Sequence, residues 1–560
     1  MTSAFISGLK ARAEHWIVPL LLGALTFFGV TGGRILSPRN IAWLDRGDPA
    51  QYFLGWHFFR NSPWGFPLGA SPRYGAEFSS SIVYADCLPL FALPFKLVRR
   101  WLPDTFQYFG FWILCCFVLQ AWFAWLLLGL ITQARLARGL GTLLFVFAPP
   151  FLWRLSGHYQ LMGQWLVLAA LYLCFGRREL ARGASWPLLS FCAGLVHSYL
   201  TAMVLALWLS DWLRRVLFDG RTRGDLIQLP LVPAAMLLAQ WQAGVFMIGS
   251  GALRRGFGFH QMNLLSLFDA GGWSYFLPDM PGSRGDYEGF NYFGPGSLLL
   301  LIAILPSLRG AFGALRRRRG YWPLAALLVA LSLFALSNRV AIAGHLLTIP
   351  LPQAVLERAN LLRSSGRMFW PAFYVLLWLV IRALFSRYSP RVALALLFVA
   401  TLLQVADTTA GTLPIRRDLH VSGRTWESPL RSPFWTAVPA EYDEIRQILP
   451  RNEAPHHTVF AYFAAMHGMS TDFAYLARID SQKFEQANDE ATQALSLAKY
   501  RPRTLYVVDR RYAAEVRRTA NETALLRNID GYLVLAPHWR CSPHCAARDA
   551  QDCAPDCTKR

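Results

Sequence analysis

Asp48 lies between Gly47 and Pro49 in the run Trp43-Leu44-Asp45-Arg46-Gly47-Asp48-Pro49-Ala50-Gln51-Tyr52-Phe53-Leu54-Gly55-Trp56-His57, which separates two hydrophobic segments. A carboxylate fixed close to a membrane surface suits general-base work on a substrate whose reactive head lies at the bilayer interface. Tyr52, Trp56, Phe58 and Phe59 predict an interfacial aromatic helix behind it, holding the acid at headgroup depth. Tyr52, Trp56 and His57 therefore join the substrate-binding candidates. Asp45 is the alternative base. Glu77 is a further base candidate or, with Asp86, a second carboxylate or metal ligand, so a divalent metal ion stays open as a cofactor. The plain reading of Arg-Gly-Asp-Pro is a turn begun by Asp, with Pro fixing φ.

A second set of groups is spread along the chain. Arg154 and His158 stand in Trp-Arg-Leu-Ser-Gly-His-Tyr-Gln, and His197 in Val-His-Ser-Tyr. Glu288 and Asn291 stand in Tyr-Glu-Gly-Phe-Asn-Tyr-Phe-Gly-Pro-Gly, and Arg363 and Arg367 in Leu-Arg-Ser-Ser-Gly-Arg-Met-Phe-Trp. Guanidinium binds phosphate oxygens in a bidentate manner, so the arginines suit a phosphate or diphosphate. The four-residue spacing of Arg363 and Arg367 predicts one helix face for both. The Glu288–Asn291 stretch reads as an acceptor or sugar platform. The plain alternatives are interface anchors, ion pairs and histidines that cap turns. No Walker loop, dinucleotide-binding glycine motif, H-E-x-x-H or G-x-S-x-G in a strand-turn-helix setting accompanies these residues.

The elements that must position these groups are membrane helices. The 560 residues are 54% hydrophobic and 16% charged, too apolar for a soluble enzyme of this size. Apolar stretches near 16–36, 105–131, 139–153, 161–176, 186–197, 199–213, 226–248, 296–308, 322–337, 369–385 and 391–407 predict about 11 spans. The net charge of +21 is a topology signal. Alternate connections hold Arg135 and Arg138, Arg214 and Arg215, the run Arg316 to Arg319, and Arg387 and Arg391, which puts the N-terminus inside and the tail outside. Residues 81–98 carry Asp86, Pro89 and Pro94 and read as a juxtamembrane or re-entrant helix. The first apolar run is a signal anchor.

The expected fold is thus mainly α: a polytopic transmembrane bundle over 1–408, with a first outside loop at 37–104, followed by a small soluble α/β domain over 411–560. In that tail 441–449, 481–499 and 513–527 read as helices, and 457–463, 504–508 and 532–535 as strands. Cys541, Cys545, Cys553 and Cys557 suit two disulfides in an oxidising compartment.

This pattern resembles the integral-membrane C-type glycosyltransferases (GT-C superfamily), within an uncharacterised bacterial branch. The likeness rests on the in-to-out first span, the large acidic first loop, the many spans and the outside C-terminal domain. It also rests on Arg-Gly-Asp-Pro-Ala-Gln-Tyr-Phe-Leu-Gly-Trp, Phe-Pro-Leu-Gly, Glu-Gly-Phe-Asn-Tyr-Phe-Gly-Pro-Gly and Arg-Ser-Ser-Gly-Arg-Met-Phe-Trp. The resemblance implies sugar transfer from a polyprenyl-phosphate donor to a glycan, lipid or protein acceptor of the cell envelope, with Asp48 as base. It implies a bacterial inner membrane, a periplasmic tail, membrane-lipid contacts and no nucleic-acid partner. Two other readings stay open: a transporter or flippase of a lipid-linked glycan, and a non-catalytic assembly subunit.

Overall fold

A computed structural model describes residues 2–78, 80–176, 178–249, 256–307, 319–520 and 524–539. The four tail cysteines Cys541, Cys545, Cys553 and Cys557, and Arg316 to Arg318, lie outside the described residues. The protein is mainly helical, with a small C-terminal sheet. It forms two compact units, Met1–Trp43 with Gln107–Ala239 and Leu253–Ser422, and Leu44–Phe106 with Gln240–Ala252 and Gly423–Arg560.

The first unit is a helical bundle. Among the described residues four helical stretches are long and apolar enough to cross a membrane: Phe109–Leu128, Arg223–Ala243, Ser365–Arg387 and Pro390–Asp418. A fifth arises if Arg135–Val146 and Pro149–Ser156, bent by 49°, count as one span. The bend has a local cause. Pro149 and Pro150 lack backbone N–H donors and disfavour a helical residue before them, so the first helix stops at Val146. Glycines set the closest helix contacts. A Cβ on Gly23 would lie 2.6 Å from the Val118 backbone, and one on Gly296 would lie 2.0 Å from the Ala400 carbonyl oxygen. The helix Pro390–Asp418 runs through residues 408–411, where the bundle is expected to give way to the soluble tail. Its buried Asp407 accepts hydrogen bonds from Ser274 Oγ and Tyr275 N, both at 2.8 Å. A short antiparallel hairpin, β1 (Arg339–Ile342) and β2 (His345–Thr348), completes this unit.

The second unit holds a five-stranded sheet with order β4-β3-β5-β7-β6, built from β3 (Glu444–Gln447), β4 (Ser470–Thr471), β5 (Thr504–Val508), β6 (Ala524–Ile529) and β7 (Tyr532–Pro537). β3 runs parallel to β4 and β5, while β7 runs antiparallel to β5 and β6. The turn joining β6 and β7 is Asp530-Gly531, both at positive φ, the chemistry a tight hairpin needs.

Three expectations for the tail change. Residues 441–449 contain the strand β3, because Ile445 to Gln447 are buried and pair with β5, Ile445 with β4 as well, and sheet pairing overrides their helical spacing. Residues 457–463 lie in the helix His457–Met466, where Phe460, Ala461, Phe463 and Ala464 bury one face at helical period. The helix begun at Ala513 ends at Thr519, and 524–529 pair with β7 as a strand.

Candidate functional site

Three charged side chains of the first unit sit on short 3-10 turns beside apolar helices. Arg154 belongs to the turn Trp153–Ser156, Glu288 to Asp286–Gly289 and Arg367 to Ser365–Phe369, which leads into the helix Trp370–Arg387. The turns converge on the Glu288 carboxylate. Arg154 Nη1 donates to Glu288 Oε2 at 2.7 Å, and Arg367 donates Nε to Oε2 at 2.9 Å and Nη2 to Oε1 at 2.6 Å. His158 Nε2 lies 3.6 Å from Oε1. Arg154, Glu288 and Arg367 expose 1%, 4% and 7% of their side chains, so these three charges are shielded from water, while the His158 side chain is 35% exposed.

Aromatic faces line the arginines: Arg154 lies over Trp370 at 5.2 Å and Arg367 over Tyr199 at 4.8 Å. His197 caps the helix Ser198–Phe218, its Nδ1 accepting from Tyr199 N at 3.2 Å, and its ring lies 5.4 Å from Tyr199. The Tyr199 hydroxyl accepts from Ser364 N at 2.7 Å. Backbone packing holds the turns in place. A Cβ on Gly366 would lie 2.4 Å from Gly289 Cα, and Asn291 Nδ2 donates to the carbonyls of both Gly289 and Gly366.

Two arginines and one glutamate leave the cluster net cationic. Burial opposes the Glu288 charge, yet Arg367, Arg154 and His158 together hold its carboxyl well below the usual carboxylate range. Burial pulls His158 down to about 3, with Glu288 working against it and Arg367 and Arg154 reinforcing it. His197 is lowered well below its ordinary value by burial and then by Arg367, and His260 is lowered by burial. The imidazoles are therefore neutral at pH 7. Buried donors also remain: Arg154 Nε and Trp370 Nε1 have no acceptor among the described residues. A buried net positive charge with unfilled donors suits an anion with several acceptor oxygens.

Six of the residues expected to bind substrate thus gather here: Arg154, His158, His197, Glu288, Asn291 and Arg367. Arg363 does not share a helix face with Arg367, because the chain breaks at Ser364 between the turns Asn360–Leu362 and Ser365–Phe369. Its side chain instead packs beside Gly256. Trp370, Tyr199 and the pair Gly289 and Gly366 complete the cluster without having been singled out. Gly in Glu-Gly-Phe and in Ser-Gly-Arg, each beside a charged residue, was the available signal.

The first-loop candidates belong to the second unit. Asp48, half-buried, lies in the first turn of the helix Gly47–Asn61, where the positive end of the helix dipole favours a carboxylate. Asp45 is exposed beside it; shielding of its carboxyl raises its pKa, Arg46 lowers it and Glu427 raises it. The expected interfacial aromatic face turns inward instead. Tyr52, Trp56 and Phe59 are fully buried and Phe58 is 4% exposed, Trp56 Nε1 donates to Phe106 O at 3.0 Å, and Phe58 stacks on Tyr74. His57 is buried, and burial lowers its pKa to about 4, assisted by Arg60. Glu77 is gripped by Arg446 and by Arg501 at 2.7 Å; partial burial opposes its charge, and the two arginines bring its pKa below the ordinary value. Asp86 takes a left-handed backbone at φ 51°. No group of three or more His, Cys, Asp or Glu able to hold a metal ion occurs among the described residues.

A family model described as a domain of unknown function, DUF6311, matches residues 20–409, and the model of its C-terminal domain matches residues 434–537. The chain therefore belongs to the DUF6311 family. No curated protein matches it.

Proposed function

We propose that this member of the DUF6311 family is a membrane glycosyltransferase of C-type kind, moving a sugar from a polyprenyl-phosphate donor to an envelope glycan, lipid or protein acceptor. In this reading about 11 helices span a bacterial inner membrane, the N-terminus is cytoplasmic and the C-terminal domain periplasmic. The observation that carries the proposal is the buried cationic cluster around Glu288, with donors left over on Arg154 and Trp370. A leaving lipid phosphate needs such donors, and a dry setting strengthens each of them. Glu288 preorganises the arginines by holding both guanidinium groups in fixed orientation before any phosphate arrives.

The step is an inverting displacement. Asp48 takes the proton of an acceptor hydroxyl, that oxygen bonds to the anomeric carbon, and the bond from anomeric carbon to phosphate oxygen breaks on the opposite face. The released lipid phosphate keeps the bonding electrons as negative charge, and a buried donor set of the kind that Arg154 and Arg367 form, with the neutral His158 as a further hydrogen-bond donor, suits a group of that charge.

The test is transfer of radiolabelled sugar from a panel of polyprenyl-phosphate sugars by the full chain in nanodiscs, with a crude envelope fraction as acceptor. Asp48→Asn is expected to abolish transfer while lipid binding persists; unchanged turnover moves the base to Asp45. A second reading, a transporter or flippase of a lipid-linked glycan, is favoured by one feature: Arg154 sits on the broken helix pair bent by 49°, and transporters place ligand sites on interrupted helices. Movement of a fluorescent lipid-linked glycan across vesicles without any sugar transfer would select it.

A further inference from the structure

We propose that a second site, a cleft of about 320 Å³ beside the Asp286–Gly289 turn, binds the ring of a neutral, hydroxyl-rich sugar. Among the residues that line it are Trp153 and Phe290, the acids Asp269, Asp279 and Asp286, and Ser266. The proposal rests on the glycosyl-transfer reading for the kind of ligand, and on this cleft for the residues.

The chemistry of the lining selects that ligand. A pyranose presents apolar C–H faces and a rim of hydroxyls, so it needs aromatic surface and several acceptors in one small volume. Trp153 and Phe290 pack at 5.4 Å between ring centroids, and Trp273 braces both, at 5.8 Å and 5.9 Å. Ser266 is 5% exposed and its hydroxyl has no partner among the described residues, a cost that a ligand hydroxyl removes. Asp269 accepts from Gly271 N and Met280 N and bonds to Asp279. Asp279, though exposed, is raised by partial shielding of its carboxyl and then by Asp269, and Asp286 is raised by burial despite the Ser283 backbone N–H.

The same acids exclude the anion that suits the neighbouring cluster. Residues 286 to 290 divide the two environments: Asp286 and Phe290 line the acidic cleft, while Glu288 engages Arg154 and Arg367. Phosphate and neutral sugar are thereby sorted to different residues of one five-residue segment.

The experiment is saturation-transfer NMR on the full chain in nanodiscs with methyl glycosides of a neutral hexose, an N-acetylhexosamine and a hexuronic acid. Asp279→Ala and Ser266→Ala serve as variants; Asp279 is exposed, so its replacement leaves the fold intact. The neutral glycosides are expected to bind and the uronate at least tenfold more weakly. Each variant is expected to lose at least tenfold in glycoside binding with pyrophosphate binding unchanged. Equal binding of the uronate, binding indifferent to both variants, or uptake of Mg2+ alone with no glycoside bound would overturn the cleft assignment. Glycoside binding without transfer from any donor removes the transferase reading and keeps the cleft; transfer without cleft binding does the reverse.

Discussion

Each unit contains a glutamate gripped by two arginines, and the two settings differ mainly in water. Glu288, with Arg154 and Arg367, is 4% exposed, its partners 1% and 7%. Glu77, with Arg446 and Arg501, is 24% exposed, and Arg501 is 48% exposed. The same charge pattern therefore plays two parts. Around Glu77, Arg446 also bonds Glu444 and water reaches the rest, so the pairs tie the segment at residue 77 to the sheet at modest gain. Around Glu288, desolvation makes each charge depend on the others, and a surplus of donors is left for a ligand.

The strongest way to break this comparison is Glu288→Gln. It leaves two buried guanidinium groups facing each other, and the expected loss is about 3–5 kcal/mol, read as a large fall in the unfolding midpoint of the detergent-solubilised protein. Added pyrophosphate is expected to restore part of that loss, since it resupplies the anion; no response to pyrophosphate would count against an anion site. Next comes Gly366→Ala, which forces a methyl group onto the Gly289 backbone and is expected to cost about 1–3 kcal/mol and weaken pyrophosphate binding together. Pyrophosphate titration of that variant by calorimetry checks it.

A pH series sharpens the contrast further. His57 has a folded pKa of about 4 against an ordinary 6.5, so the unfolded chain takes up a proton first as the pH falls. Its contribution is complete above about 6.5 and is lost towards 4 at about 1.4 kcal/mol per pH unit, a slope that His57→Gln should remove. Chemical unfolding at stepped pH measures it. The smallest effect belongs to Glu77→Gln, expected at no more than about 1 kcal/mol and shrinking with added salt, whereas the Glu288→Gln penalty should hardly respond to simple monovalent salt.

Much of the helical framework was legible, because long apolar runs broken by proline, glycine and arginine leave few alternatives. The tail misled where helix and strand preferences compete. His457 to Met466 mixes Val, Phe and Tyr with Ala, and only the buried face at Phe460, Ala461, Phe463 and Ala464 decides for helix. Ile445 to Gln447 reads as helix until its two parallel neighbours are known. At the site, sequence marked Arg154, His158, His197, Glu288, Asn291 and Arg367 by their polarity among apolar helices. It did not show that Glu288 neutralises the arginines rather than meeting a sugar, since that pairing joins residues 134 and 79 positions apart. The inward turn of Tyr52, Trp56, Phe58 and Phe59 was hidden for a related reason: an aromatic run looks the same whether its neighbour is lipid or protein.

The contact between Gly289 and Gly366 also sets a tolerance. A seam too narrow for a methyl group holds the segments carrying Glu288 and Arg367 at one fixed spacing. Arg154 comes from a separate stretch, beyond the double proline and the bend, and is tied to the same turn through the Glu288 carboxylate and the Glu288 carbonyl. Three distant pieces of sequence are thereby held to one register by a pair of residues that have no side chain at all.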